Sequence, residues 1–321
     1  MTDATTLRAW VHTLSHAAQD ILLVELRPQG ANAFPAFEPG SHIDLHLPNG
    51  MVRSYSLAND SRETHRYVLG ILKDRQSRGG SRCVHEQLRV GSVLTISAPR
   101  NHFALHREAR HSVLIAGGIG ITPILCMARA LSAQGQSAEV IYCARNRASM
   151  AFQDELSALG LPITWHFDDE AGGPPDLTAL LRARPDAGQT HYYACGPAVM
   201  LDAFEASCAE LGYPHAHIER FAAVEVPPAS DARQSYEVEL RRSGQTLHIT
   251  PDTTLHQALL ACQANVPFSC EEGICGSCET RVLEGEPDHR DSVLTAAERA
   301  SQRVMMVCVS GCKSERLVLD L

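Results

Sequence analysis

The sequence predicts a multidomain chain: an antiparallel β-barrel, then an α/β doubly wound domain, then a small α+β domain. Three observations carry this reading. Short strand-like segments punctuated by Gly, Pro and Asn fill the N-terminal third. From His111 onward, apolar strand-like runs alternate with helical ones, the pattern of a parallel sheet covered on both faces. Beyond a stretch with paired prolines, a hairpin and a helix precede a tight group of cysteines.

Residues 8–14, 20–27, 42–47, 53–57, 66–72 and 93–98 read as the barrel strands, with Pro48-Asn49-Gly50 among the turns. Residues 112–116 form an apolar run without alternation, as a strand buried on both faces would. A glycine turn leads into a helix over 124–134. Strands at 139–144, 163–167 and 190–194, with a helix around 152–159, continue the alternation. Residues 222–232 read as a linker. Strands 236–241 and 246–249 form a hairpin, and Pro251-Asp252-Thr253 caps a helix over 255–264. The expected domain limits are 1–106, 107–224 and 233–321.

The chain has 321 residues and a formal charge of −9, so no basic surplus is available to neutralise nucleic-acid phosphates. No window approaches ~18 uninterrupted apolar residues, and no membrane span is expected. The first residues, Met1 to Thr6, lack the basic start and apolar run of a signal peptide, which predicts a cytoplasmic protein. Of eleven cysteines, Cys83, Cys126, Cys143, Cys208 and Cys262 stand isolated among apolar or helical neighbours and read as inert thiols.

The C-terminal cysteines are different. Cys270, Cys275 and Cys278 follow the spacing C-x4-C-x2-C, with Cys308 downstream, which is the plant-type [2Fe–2S] pattern. Soft thiolates suit iron and sulfide. Zinc usually takes its ligands as two C-x2-C pairs, whereas here three lie in nine residues with one distant partner. Cys308 is preferred over Cys312 as the fourth ligand because it falls in the apolar run 304–309, read as a strand, while Cys312 follows Gly311 near a turn.

Gly117-Gly118-Ile119-Gly120-Ile121-Thr122-Pro123 lies between a buried strand and a helix, where backbone amides can approach a pyrophosphate. Cys195-Gly196-Pro197 closes another buried strand, at the edge where doubly wound sheets bind ligands. The second strand ends in Ala144-Arg145-Asn146-Arg147 without an acidic residue. Those arginines could hold a 2′-phosphate, contact the pyrophosphate or be solvated. Arg53-Ser54-Tyr55-Ser56-Leu57 and Ser77-Arg78-Gly79-Gly80-Ser81 offer a cation, an aromatic face, hydroxyls and a helix start, as a flavin phosphate and ring require.

Taken in order, RSYSL, SRGGS, GGIGITP, CGP, CEEGICGSC, EGEPDHRD and MMVCVS resemble the phthalate dioxygenase reductase family over essentially the whole chain. The resemblance implies FMN, NADH and a plant-type cluster in a β-grasp ferredoxin domain. It also implies a Rieske-type oxygenase as partner and a chain that is monomeric in isolation. It assigns Arg53, Ser54, Gly70, Leu72, Gly79, Gly80 and Ser81 to the flavin site, with Tyr55 on the isoalloxazine and Ser56 near N5. Gly117, Gly118, Gly120, Thr122, Arg145, Cys195, Gly196 and Pro197 fall to the nicotinamide nucleotide. Phe221 shields the flavin, and Ser56, Thr122, Cys195 and Phe221 surround the hydride path. The family often has a basic residue where Leu72 stands; here Lys73 follows one place later.

Overall fold

The computed structural model describes residues 6–75, 77–106, 108–184, 188–222 and 235–321. The expected linker falls outside these except for Ala222. The chain divides into two compact units, Met1–Phe221 and Ala222–Leu321.

In the first unit, strands β1 (Thr6–Ala18), β2 (Ile21–Pro28), β3 (Ser41–His46), β4 (Val52–Ser56) and β5 (Tyr67–Leu72) are followed by helix α1 (Gly80–Gln87). Strands β6 (Val93–Ser97) and β7 (Arg100–Asn101) complete the set. They pair antiparallel in the order β4-β3-β6-β1-β2-β5, with β7 on β3. A bridge between Leu57 and Leu69 returns the end of β4 to β5 and curls the sheet into a barrel. Alternation along the strands sends Val24, Leu26, Ile43, Leu45, Leu69 and Ile71 into one apolar interior.

The parallel sheet follows: β8 (His111–Gly117), α2 (Ile121–Ala133), β9 (Ala138–Ala144), α3 (Gln153–Ser157), β10 (Ile163–Phe167), α4 (Asp168–Ala171), α5 (Leu177–Arg182), β11 (Thr190–Cys195), α6 (Ala198–Leu211) and β12 (Ala216–Glu219). Its order is β10-β9-β8-β11-β12, all parallel. Helix α2 begins three residues earlier than expected, because Pro123 needs no donor in a first helical turn and does not delay the start. Ala18, Ile21, Ala58 and Phe103 of the barrel share one buried cluster with Leu114, Leu125 and Tyr142, so the two layers pack as one body.

The second unit comprises β13 (Tyr236–Leu240), β14 (Gln245–Ile249), α7 (Leu255–Ala261), β15 (Glu279–Glu284), β16 (Pro287–Asp288), α8 (Ala296–Ser301), β17 (Val304–Met306), β18 (Gly311–Cys312) and β19 (Arg316–Leu319). The mixed sheet β14-β13-β19-β15-β17 packs Val238, Leu240 and Leu317 against Leu255 and Leu259 of α7, the β-grasp arrangement. Two local expectations are corrected. The cap of α7 is Thr254 and not the preceding tripeptide: its hydroxyl accepts from Gln257 N while Gln257 reaches back, a reciprocal box that Pro251-Asp252-Thr253 cannot form. Cys308 lies in the turn after β17 and not within a strand, because β17 ends at Met306. No helix among the described residues is long and apolar enough to cross a membrane.

The box at Thr254 is the main polar tie of the first turn of α7. Thr254→Ala is expected to lower the stability of this unit by about 1 kcal/mol. Urea unfolding of the full chain, followed by amide hydrogen exchange in α7, checks it.

Candidate functional site

Strand order reverses between β8 and β11, and a crevice opens at their carboxyl ends, where open parallel sheets hold ligands. The turns Gly117–Gly120 and Cys195–Pro197 meet in that crevice. A Cβ on Gly120 would stand 2.1 Å from the Cys195 carbonyl oxygen, so a side chain there would drive the turns apart. Gly117 backs onto Met200 and Pro197. Gly118, at φ +53°, has open space beside it. With the N-terminus of the thirteen-residue α2 adjoining, this cradle fits an anionic pyrophosphate. Thr122 is buried beneath it, its hydroxyl donating to the Ile119 carbonyl at 3.1 Å.

The barrel supplies the opposite wall. Gly70 of β5 faces Thr122, and a Cβ there would come within 2.8 Å of the Thr122 methyl. Ser56, at the end of β4, donates its hydroxyl to Glu219 Oε2 at 3.0 Å. The parallel register of β11 and β12 sets Glu219 beside Cys195. Burial, and then the neighbouring Glu219, push the Cys195 thiol well up. Burial pushes the Glu219 carboxyl up to about 8, against the hydrogen bond from Ser56. Phe221 follows two residues on, 39% exposed. Ser56, Cys195 and Glu219 therefore converge from three separate segments, while Thr122 packs on Gly70 of the barrel. Sequence reasoning does not reach Glu219: its partner is fixed by the pairing of two strands, and the one available signal is a carboxylate closing a short strand.

Further along the barrel, Arg53 lies against the N-terminus of α1. A Cβ on Gly80 would come within 2.7 Å of the Arg53 side chain, and Gly79 precedes it at φ +117°. Cation and helix start thus share one anion cradle. The Ser81 hydroxyl nearby accepts from Asp74 N at 3.2 Å. Ser54 faces away, donating to Asp44 at 2.7 Å, while Asp44 also holds Arg100 at 2.6 Å. Tyr55 is half-buried against the barrel interior. Leu72 is partly exposed at the end of β5, and Lys73 pairs with Glu86 of α1 at 2.9 Å.

At the ends of β9 and β10, Arg145 and Arg147 are exposed. Arg147 is bound by Glu170 at 2.6 Å and lies 4.2 Å over the Phe167 ring. The acid that β9 lacks arrives from α4, as Asp168, Asp169 and Glu170. A shallow cavity of about 310 Å³ opens there, lined by Arg147, Trp165, Phe167 and Glu170.

In the second unit, Cys270, Cys275, Cys278 and Cys308 are all buried within one loop-and-turn region. Cys270 and Cys275 share a hydrogen bond that pushes the Cys275 thiol down and Cys270 up. Cys308 is held up by its hydrogen bond with Cys278. Gly273, at φ +69°, brings the loop onto Val309 and Asp291, where a Cβ would meet atoms at 2.7–3.0 Å. Four converging soft donors in a closed backbone cradle fit an iron–sulfur core. Cys312 is turned elsewhere, its Sγ 3.2 Å from both the carbonyl and the hydroxyl oxygen of Ser314.

The family described as 2Fe-2S iron-sulfur cluster binding domain matches residues 238–313, and the oxidoreductase NAD-binding domain matches residues 114–206. The phenoxybenzoate dioxygenase subunit beta of Ectopseudomonas oleovorans is 45% identical over 311 residues, 97% of this chain and 96% of that protein. The solved structure of phthalate dioxygenase reductase, described as modular for electron transfer from pyridine nucleotides to [2Fe-2S], aligns over 98% of both chains. It does so at 35% identity and a TM-score of 0.71. The chain belongs to the phthalate dioxygenase reductase family. It is an oxidoreductase of that family, with an NAD-binding domain and a 2Fe-2S domain in one polypeptide. An intact type IV self-sufficient cytochrome P450 monooxygenase also aligns over 98% of this chain at a TM-score of 0.91 and 39% identity. This chain spans only 41% of that protein.

Glu219 gives this reductase a pH signature. Its carboxyl ionises near 4.5 when unfolded but only near 8 when folded, so the folded state holds the extra proton between those values and stability falls as pH rises across the window. Glu219→Gln keeps an acceptor for Ser56 and is expected to flatten that descent. Denaturant unfolding of both proteins between about pH 5 and pH 8 checks it, and parallel slopes would remove the assignment.

Proposed function

We propose that the chain is the reductase component of a two-component Rieske-type oxygenase, an aromatic-ring dioxygenase or an O-demethylase. Electrons would pass from NADH through FMN and a [2Fe–2S] cluster to the partner. The observation that carries this reading is the convergence of Ser56, Cys195 and Glu219 at the switch point, in a chain that also gathers four buried cysteines. When bound, the flavin accepts an electron pair as hydride and the cluster passes electrons singly.

The protein's own residues orient and enclose. Arg53, Gly79, Gly80 and Ser81 would hold the FMN phosphate, and Tyr55 would pack on the ring. Ser56, hydrogen-bonded to Glu219, would present its hydroxyl near the reacting nitrogen. Gly117, Gly118 and Gly120 would cradle the pyrophosphate, and Thr122, Cys195, Gly196 and Pro197 would shape the nicotinamide pocket. Phe221 would exclude water from the flavin face. Ser54, bonded to Asp44, and Gly70, packed on Thr122, would support the site from behind. Leu72 would line its margin, and Lys73, paired with Glu86, would steady α1. The cluster ligands would be Cys270, Cys275, Cys278 and Cys308, in domains bounded at 1–106, 107–224 and 233–321. We read the protein as cytoplasmic and monomeric in isolation.

Glu170 supports NADH over NADPH. It neutralises Arg147, and with Asp168 and Asp169 it places negative charge where a 2′-phosphate would sit. The likeness to the self-sufficient P450 supports a second reading of the acceptor alone, a haem monooxygenase served by the same three modules.

Two measurements test the assignments. Cys308→Ser should cost the chain most of its iron and its reduced EPR signal while NADH-driven flavin reduction survives; Cys312→Ser should leave both. Loss of the cluster in the second variant instead would refute the ligand set. Glu170→Gln frees Arg147 and should improve kcat/KM for NADPH by about two- to fivefold, the scale of an exposed ion pair. An unchanged NADH-to-NADPH ratio would leave Glu170 without a part in selection.

A further inference from the structure

We infer that the parallel-sheet half of the first unit carries a second metal site, a binding position for one borderline divalent cation such as zinc or nickel, formed by His106, His191 and His217. These three imidazoles offer nitrogen atoms that all lie within 4.8 Å of one another. They come from three segments: His191 from β11, His217 from β12, and His106 from the connection between β7 and β8. Their meeting is therefore a product of the fold and not of a local sequence pattern.

The closest pair is preset for a shared ion. His191 Nδ1 and His217 Nε2 stand 3.0 Å apart. Their ring centroids are 5.2 Å apart with the planes only 12° from parallel, so the rings meet edge to edge rather than face to face. Two nitrogens bound ~2.0–2.1 Å from one tetrahedral ion lie about 3.3 Å apart, so little movement is needed. Burial pushes both imidazoles down to about 4, leaving them neutral at pH 7. Each then keeps one lone pair, and the ring that donates across the pair has only to carry its hydrogen on its other nitrogen for both to face an ion.

The third donor is held over this pair. The backbone N–H of His106 donates to the Tyr193 hydroxyl at 2.9 Å, which pins the connection above β11. The His106 ring lies 4.7 Å from that of His217 and 4.8 Å from that of His191. Because His106 is exposed, its ring can turn to coordinate without repacking a core, and three imidazoles leave the fourth tetrahedral position for water. His215 stacks on His191 at 4.3 Å and fixes that ring from the far side. Three imidazoles with one open position suit zinc, nickel or copper(II) and disfavour magnesium or calcium. An ion there would tie the connection leaving the barrel to the edge strand β12 and its neighbour β11.

The test uses the full-length holoprotein, stripped of loose metal, titrated with Ni2+ by calorimetry and by equilibrium dialysis with metal analysis. One Ni2+ per chain is expected beyond the cluster iron, and His106→Ala should weaken it at least tenfold, as should His217→Asn. NADH-dependent ferricyanide reduction should be unchanged in His106→Ala, which shows that the loss is not one of folding. Wild-type protein that takes up no Ni2+, or titrations that differ less than threefold between wild type and His106→Ala, would overturn the site.

Discussion

The structure depends on how closely the barrel can approach the carboxyl edge of the parallel sheet. Gly70 meets Thr122 with no room for a methyl group, and Gly120 lies against the Cys195 carbonyl with less. Dispersion and burial reward such contact only when the opposing surfaces fit to a fraction of an ångström. A side chain at Gly70 would press the barrel off Thr122, and one at Gly120 would press the two turns apart, around the wall where Ser56 meets Glu219. Two strand ends from different sheets form that wall.

Closeness also sets the electrostatics. A carboxyl that is partly desolvated with no cation beside it loses solvation of its charged form, so Glu219 holds its proton to higher pH. The same desolvation keeps the Cys195 thiol protonated. Neither group is a ready nucleophile, which accords with a site whose residues position and shield rather than attack. Nearer the surface the balance is different. Glu284, Glu286 and Asp288 are each matched by a basic neighbour, among them Arg241, Lys313 and Arg290, and the net negative charge of the chain is less concentrated there than a count of acids suggests.

Much of this was legible in the residues. The change from punctuated strands to alternating apolar runs separated barrel from parallel sheet, because side-chain period and burial follow directly from backbone geometry. The cysteine spacing pointed to the cluster because three of the four buried cysteines come from one short loop, where sequence distance and spatial distance are nearly the same. The glycine turn after β8 and the Arg53 and Gly79–Gly80 elements were legible for the same reason: each is a local backbone device.

What the sequence determined by itself, then, was element type, domain order and the local motifs. Tertiary structure alone decided the partnerships between distant segments: Ser56 with Glu219, Arg147 with Glu170, and His106 with His191 and His217. Each depends on strand order and register, and shifting a strand by one residue turns its whole row of side chains to the other face. No pattern within a segment encodes which segment will lie beside it. That is settled when the apolar faces find the one packing that buries them together.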